Sequence, residues 1–125
     1  ELIGNGGNNS LYGREGNDAL IGLDGEDYLN GGSGDDTRDG GSGNDILRGG
    51  IGADIFIFRG GHDVIEDFNA ASDEIEIIHS QADEFIIKNS EKTEAGLQFH
   101  LDEENSLLFL NIDHQFFVEM SGLFQ

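Results

Sequence analysis

The sequence predicts an all-β chain whose first half winds as a parallel coil of nine-residue repeats and whose second half caps that coil. Three observations carry the prediction. Glycine recurs in a strict phase through the first half. There are 20 glycines and no proline, which points to many turns of one special backbone geometry with φ > 0. After residue 66 the composition changes, with glycine giving way to phenylalanine and isoleucine.

The repeat runs in nines from Gly4: GNGGNNSLY, GREGNDALI, GLDGEDYLN, GGSGDDTRD, GGSGNDILR, GGIGADIFI, without insertion over residues 4–57. The next frame, FRGGHDVIE, keeps Gly61, Asp63 and Ile65. Position four is always glycine: Gly7, Gly16, Gly25, Gly34, Gly43, Gly52 and Gly61. Position six reads Asn9, Asp18, Asp27, Asp36, Asp45, Asp54, Asp63, and position eight reads Leu11, Leu20, Leu29, Arg38, Leu47, Phe56, Ile65. Of the 20 glycines, 18 lie before residue 67. Periodicity of this kind signals a solenoid in which each repeat stacks on others.

The local chemistry follows from the spacing. The glycine-rich residues make a turn, and those that follow, as in Asp18-Ala19-Leu20 or Asp45-Ile46-Leu47, start a short strand. Side chains alternate along a strand, so position eight points inward while positions seven and nine point outward. Two blocks make one coil, and blocks n and n+2 stack with a spacing of roughly 4.8 Å. Asp18, Asp36 and Asp54 then line one edge, and Asp27, Asp45 and Asp63 the other. Such carboxylate ladders repel themselves. A hard cation between paired carboxylates removes the repulsion, and Ca²⁺, which takes six to eight oxygens, suits a site completed by turn carbonyls better than Mg²⁺ does.

These blocks match the G-G-x-G-x-D-x-U-x pattern, and the sequence resembles the RTX (haemolysin-type) repeat region of type I secreted bacterial proteins. The resemblance implies a right-handed parallel β-roll (β-helix) of nonapeptide repeats, with calcium between the loops of alternate repeats. It implies carboxylate ligands at Asp18, Asp27, Asp36, Asp45, Asp54 and Asp63, with Asn9 as a weak, uncharged one. Backbone ligands would come from the turns at Gly16, Gly25, Gly32, Gly34, Gly41, Gly43, Gly50 and Gly52. The segment from Gly61 to Phe68 and Asp73-Glu74-Ile75 are also family-like, and Asp67 and Asp73 would complete the last half-sites. Together these imply roughly four to six ions.

Departures from the pattern are specific. Asn5 stands at the second glycine position of the first block, and Arg14 and Leu23 at that of the second and third. Arg38 falls where an inward apolar residue belongs. A buried arginine is costly unless paired, so it is expected to reach Asp36 or Asp39, or to distort its strand.

Residues 1–66 are read as the repeat roll and 67–125 as a C-terminal β-strand cap, which in the family also carries a secretion signal. Strands are expected near 75–79, 84–88, 97–101, 106–112 and 115–120 from their β-branched and aromatic content. A cap is needed because the last coil otherwise exposes apolar surface and a strand edge. The chain opens mid-pattern at Glu1, as expected of a piece of a longer protein with a domain upstream.

Charge and composition exclude several functions. A formal net charge of −20 leaves no basic patch for nucleic acid or an anionic membrane surface. There is no cysteine for disulfides or thiolate metal sites, and no 18-residue apolar run to span a membrane. His62, His79, His100 and His114 are scattered, with no zinc motif, and neither an EF-hand loop nor a G-x-S-x-G nucleophile site is present. Asn8-Asn9-Ser10 fits a glycosylation sequon but lies in a turn assigned to metal. The expectation is a secreted, extracellular, non-catalytic Ca²⁺-binding module that folds on calcium and supports type I secretion and an upstream domain. The alternative is a polysaccharide-binding module, for an anionic or neutral polymer, like the R-modules of alginate C5-epimerases. Arg14, Arg48, Arg59 and Tyr28 are the candidate contacts for that role.

Overall fold

The computed structural model describes residues 1–69, 71–78, 89–92, 96–100 and 106–110. β1 (Leu2–Ile3) precedes the first block, and each nine-residue block then contributes one short strand after its turn: β2 (Ser10–Tyr12), β3 (Ala19–Ile21), β4 (Tyr28–Asn30), β5 (Thr37–Asp39), β6 (Ile46–Arg48), β7 (Ile55–Phe58) and β8 (His62–Ile65). Beyond them lie β9 (Glu74–Ile77), β10 (Asn89–Lys92), β11 (Gly96–His100) and β12 (Ser106–Leu110). There is no helix among the described residues, hence none long and apolar enough to cross a membrane.

Odd and even strands from β1 to β9 separate into two sheets, as a coil of two blocks requires. One has the order β1-β3-β5-β7-β9, and the other β10-β11-β12-β8-β6-β4-β2. The repeat strands pair in parallel with a register of 18 residues, so Leu20 faces Arg38 and Arg38 faces Phe56. In the second sheet Leu11, Leu29 and Leu47 align in the same way. This is a parallel β-roll. β9 extends the first sheet beside β7, and β12 extends the second beside β8, both in parallel. β11 and β10 then add antiparallel strands to that second sheet.

Position eight points inward throughout. Leu20, Leu29, Leu47, Phe56 and Ile65 are buried, while their neighbours at positions seven and nine are partly or fully exposed. The core is therefore one side chain per strand, each worth about 1.5–3 kcal/mol when fully buried. It thickens at the C-terminal end. There Phe58, Phe68, Leu107 and Phe109 join it, and the Phe68 ring lies 5.8 Å from Phe56 and 5.4 Å edge-on from Phe109.

In the second half β9, β11 and β12 fall within one or two residues of the strands expected near 75–79, 97–101 and 106–112. The strands expected at 84–88 and 115–120 lie outside the described residues, as do His79 and His114. β10 was not expected. Its sequence, Asn-Ser-Glu-Lys, carries no strand signal and is extended through backbone pairing with β11, where partner geometry overrides propensity.

Candidate metal centre

The turns owe their shape to left-handed backbone at fixed positions. Gly32, Gly41 and Gly50, at position two, have φ of 83–84°, and Gly16, Gly25, Gly34, Gly43 and Gly52, at position four, have φ of 100–127°. Arg14 and Leu23 hold the same conformation at position two, with φ of 73° and 72°. The departures from glycine thus leave the turn intact and carry a conformational cost instead. Position four also needs glycine for close approach. A Cβ on Gly25 would lie 2.5 Å from the Gly7 carbonyl oxygen below it, and Gly34, Gly43, Gly52 and Gly61 face the carbonyls of Gly16, Gly25, Gly34 and Gly43 in the same way.

The position-six side chains form two continuous ladders. On one edge the amide of Asn9 donates to Asp27 Oδ1 (2.7 Å), that of Asp27 to Asp45 Oδ1 (2.9 Å), and that of Asp45 to Asp63 Oδ1 (2.9 Å). On the other, Asp18 donates to Asp36 (2.8 Å), Asp36 to Asp54 (3.0 Å) and Asp54 to Asp73 (2.9 Å). One oxygen of each carboxylate after Asp18, the first of its ladder, is thereby fixed by the coil below. The second is not. Oδ2 of Asp18, Asp27, Asp36, Asp45, Asp54 and Asp63 is buried without a hydrogen-bond partner. Each orphaned oxygen in blocks two to six faces the position-one glycine of its own turn: a Cβ on Gly13, Gly22 or Gly49 would lie 2.9, 2.6 or 2.6 Å from Oδ2 of Asp18, Asp27 or Asp54. At Gly13 and Gly22 the same point also meets the carbonyl oxygen of Gly31 or Gly40 in the next coil, at 2.7 and 2.8 Å. Glycine at position one therefore keeps open a small cradle lined by a carboxylate oxygen and a turn carbonyl.

The ladder ends are closed differently. Asn9 Oδ1 accepts the amide of Asn5 at 2.8 Å, and Asp73 Oδ2 accepts that of Asn69 at 2.8 Å. Asp67 spends both oxygens on the amides of Gly49 and Gly50, at 2.7 and 2.8 Å. In Asn9, Asp67 and Asp73 the oxygens are thus taken up by backbone amides, whereas Oδ2 of the six orphaned carboxylates accepts no hydrogen bond.

Burial sets the electrostatics. Asp27, Asp36, Asp45, Asp54 and Asp63 are at most 2% exposed. Loss of solvation pushes the Asp63 carboxyl up to about 8 and Asp45 to about 7, against the accepted amide hydrogen bond that lowers each and with the neighbouring carboxylates that raise them further. Burial likewise raises Asp27, Asp36 and Asp73. Two carboxylates one strand spacing apart repel by about 3 kcal/mol at an effective dielectric near 20. No three His, Cys, Asp or Glu side chains converge among the described residues. The ladders offer pairs, so any ion here must draw its remaining oxygens from the backbone. An all-oxygen donor set, with orphaned buried carboxylate oxygens beside turn carbonyls, fits a hard cation of high coordination number such as Ca²⁺.

Arg38 is fully buried, yet its strand keeps register. Its Nη2 donates to Asp54 Oδ1 (2.9 Å) and to the Gly49 carbonyl (3.1 Å), and lies 3.4 Å from Asp36 Oδ2. Asp36 was an expected partner. Asp39 is not one, because it faces outward and pairs with Arg59 at 2.7 Å. Position five holds a feature that the repeat pattern did not bring out. Asn8, Asn17, Asp35 and Asn44 each accept through Oδ1 the amide 18 residues on, from Glu26, Asp35, Ala53 and His62. The signal was present as Asn or Asp at position five in four blocks. This second ladder ties the coils together outside the carboxylate edge.

The fold and the ladders define a calcium-binding β-roll, and comparison with known proteins agrees. The RTX calcium-binding nonapeptide repeat matches in 4 copies over residues 3–37 and 39–65. Residues 3–37 and 39–65 of this chain belong to that family of Ca²⁺-binding repeats. Among solved structures, the extracellular lipase LipA from Serratia marcescens is similar, with a TM-score of 0.76 and 28% identity over 90% of this chain. The chain spans 18% of the length of that lipase. No curated protein matches it.

Proposed function

We propose that this chain is a non-catalytic module of a secreted bacterial protein that folds on binding Ca²⁺ outside the cell. The observation that carries the reading is the set of six buried aspartate Oδ2 atoms that accept no hydrogen bond, in register on two edges of the roll. Asp18, Asp27, Asp36, Asp45, Asp54 and Asp63 supply the carboxylate oxygens, and the turns at Gly16, Gly25, Gly32, Gly34, Gly41, Gly43, Gly50 and Gly52 supply backbone carbonyls. Bound calcium supplies the positive charge that offsets these carboxylates. At low calcium their desolvation and mutual repulsion oppose folding, so the chain stays unfolded and competent for type I export. At extracellular calcium, binding free energy becomes folding free energy. The folded roll then stabilises a domain upstream of it. The aromatic cluster of Phe56, Phe68 and Phe109 closes the C-terminal end of the core, in keeping with a cap over residues 67–125.

The test is a titration of the chelator-treated chain with CaCl₂, followed by far-UV circular dichroism, with MgCl₂ as control. A cooperative gain of β signal with Ca²⁺ alone is expected. A fully folded signal in excess chelator, unchanged by Ca²⁺, would overturn the proposal.

One observation favours a second reading, polysaccharide binding. The Tyr12 and Tyr28 rings lie 5.9 Å apart, tilted by 49°, on the outer face of the second sheet, and Arg48, on the next strand from Tyr28, is 3.9 Å from Asp67. Of the other candidate contacts, Arg14 sits in a turn and Arg59 is engaged by Asp39. Retardation of the calcium-loaded chain in an alginate-containing gel, lost in Tyr28→Ala, would support this reading.

A further inference from the structure

We propose that Arg38 replaces a calcium ion at the Asp36–Asp54 step of the ladder, so that this one step is held by the chain's own cation. The inference rests on the calcium reading of the ladders and concerns the step at which that reading does not fit.

Two steps of the ladders show the arrangement that an ion would use. At Gly13 and Gly22 the point above the α-carbon is bounded by a carboxylate Oδ2 and by the position-one carbonyl of the next coil. At Gly31 the same point is met first by Arg38 Nη2 and then by Asp36 Oδ2, at 2.5 Å. The carbonyl that would complete this cradle, Gly49 O, accepts from Nη2 at 3.1 Å, and the carboxylate above, Asp54, accepts through Oδ1 at 2.9 Å. One guanidinium nitrogen therefore contacts the three kinds of oxygen that line this part of the ladder. A cation and Nη2 cannot both stand there, because each needs the same oxygens and both are positive.

The surroundings suit a permanent cation. The guanidinium lies 4.8 Å from the centre of the Phe56 ring, which favours positive charge. Its Nε and Nη1 have no hydrogen-bond partner, so burial is costly and the charge contacts with Asp36 and Asp54 must offset it. A single charge from arginine also neutralises less than Ca²⁺ would, yet it is present at every calcium concentration. The step between β5 and β7 should then be the least calcium-dependent part of the first sheet. The Asp18–Asp36, Asp27–Asp45 and Asp45–Asp63 steps have no such side chain in them and remain available to ions.

The direct test is calcium anomalous difference density from crystals of the whole chain grown in CaCl₂. Peaks are expected at those three steps and none between Asp36 and Asp54. A peak between Asp36 and Asp54, with the guanidinium displaced, overturns this inference and leaves the calcium module intact. The absence of peaks at every step overturns the calcium module itself. In solution, Arg38→Leu restores the residue found at position eight of four other blocks, and Arg38→Met keeps reach without charge. Either variant should bind one more calcium than the parent by equilibrium dialysis, and should need more calcium to reach half-maximal β signal. Unchanged stoichiometry in a folded variant that still binds calcium would also overturn the inference.

Discussion

Leu23 offers a clean test of how the turns are built. It stands at position two with φ of 72°, where Gly32, Gly41 and Gly50 adopt 83–84°. A residue with a Cβ in this left-handed region costs roughly 1–2 kcal/mol. Replacement by glycine removes that cost but adds backbone freedom to the unfolded chain, which takes back about 0.4–1 kcal/mol. The side chain is 43% exposed, so little burial is lost. Leu23→Gly should therefore stabilise the calcium-loaded roll by about 0.5–1 kcal/mol, or roughly 2–4 °C in Tm for a chain of this size. Arg14→Gly relieves the same conformation on the opposite edge, and the two gains should add. Thermal unfolding by circular dichroism in saturating CaCl₂ measures both. Leu23→Ala is the control, since it removes the side chain but keeps the cost of the left-handed backbone. A Leu23→Gly midpoint at or below that of Leu23→Ala would refute the conformational argument.

Other outcomes follow from the carboxylate ladders. Gly22→Ala places a methyl 2.6 Å from Asp27 Oδ2 and 2.8 Å from Gly40 O, at a residue outside the left-handed region; with overpacking worth about 1–3 kcal/mol, calorimetry should find about tenfold weaker calcium binding or worse, while Gly6→Ala, which meets nothing within 4 Å, should not differ from the parent. Asp45 faces both Asp27 and Asp63, whereas Asp18 faces only Asp36, so Asp45→Asn should cost about twice the calcium-dependent folding free energy of Asp18→Asn; equal losses would contradict the shared-step geometry. In calcium-free buffer acid should stabilise the roll. Folded-state values of about 8 for Asp63 and about 7 for Asp45 lie above the ordinary 3.8, so the folded chain holds protons that the unfolded chain releases. That contribution is complete below the unfolded value and is lost as pH rises through the folded values. It changes by about 1.4 kcal/mol per carboxyl for each pH unit over which the folded group is protonated and the unfolded one ionised. The β signal should therefore grow as pH falls from about 8 to about 4, and a monotonic loss on acidification would show that the sign is wrong.

Much of this architecture was legible because one spacing serves two purposes. The nine-residue phase of glycine and aspartate gave the turn, and doubling it gave the 18-residue register that sets Leu20 on Arg38 on Phe56. What stayed hidden depends on direction along the coil axis rather than on spacing. Spacing alone does not say that Oδ1 is consumed by an amide while Oδ2 is left over. It does not show that Asn9 and Asp73 are engaged by residues four positions earlier. Arg38 was recognisable as a misfit, but its reach up to Asp54, nearly a full coil away in sequence, needed the stacked neighbour in place. β10 was invisible because nothing in Asn89–Lys92 marks a strand.

The central claim is that the position-six carboxylates are the metal ligands, and calcium counting on one edge tests it most directly. A chain carrying Asp27→Asn, Asp45→Asn and Asp63→Asn should be compared by equilibrium dialysis with the parent, and with a control carrying Asp24→Asn, Glu26→Gln and Glu74→Gln, which removes the same charge from exposed positions. The ladder account predicts that the first variant loses the ions of that edge while the control binds as many as the parent. Full calcium occupancy in the first variant, or equal losses in both, would contradict it.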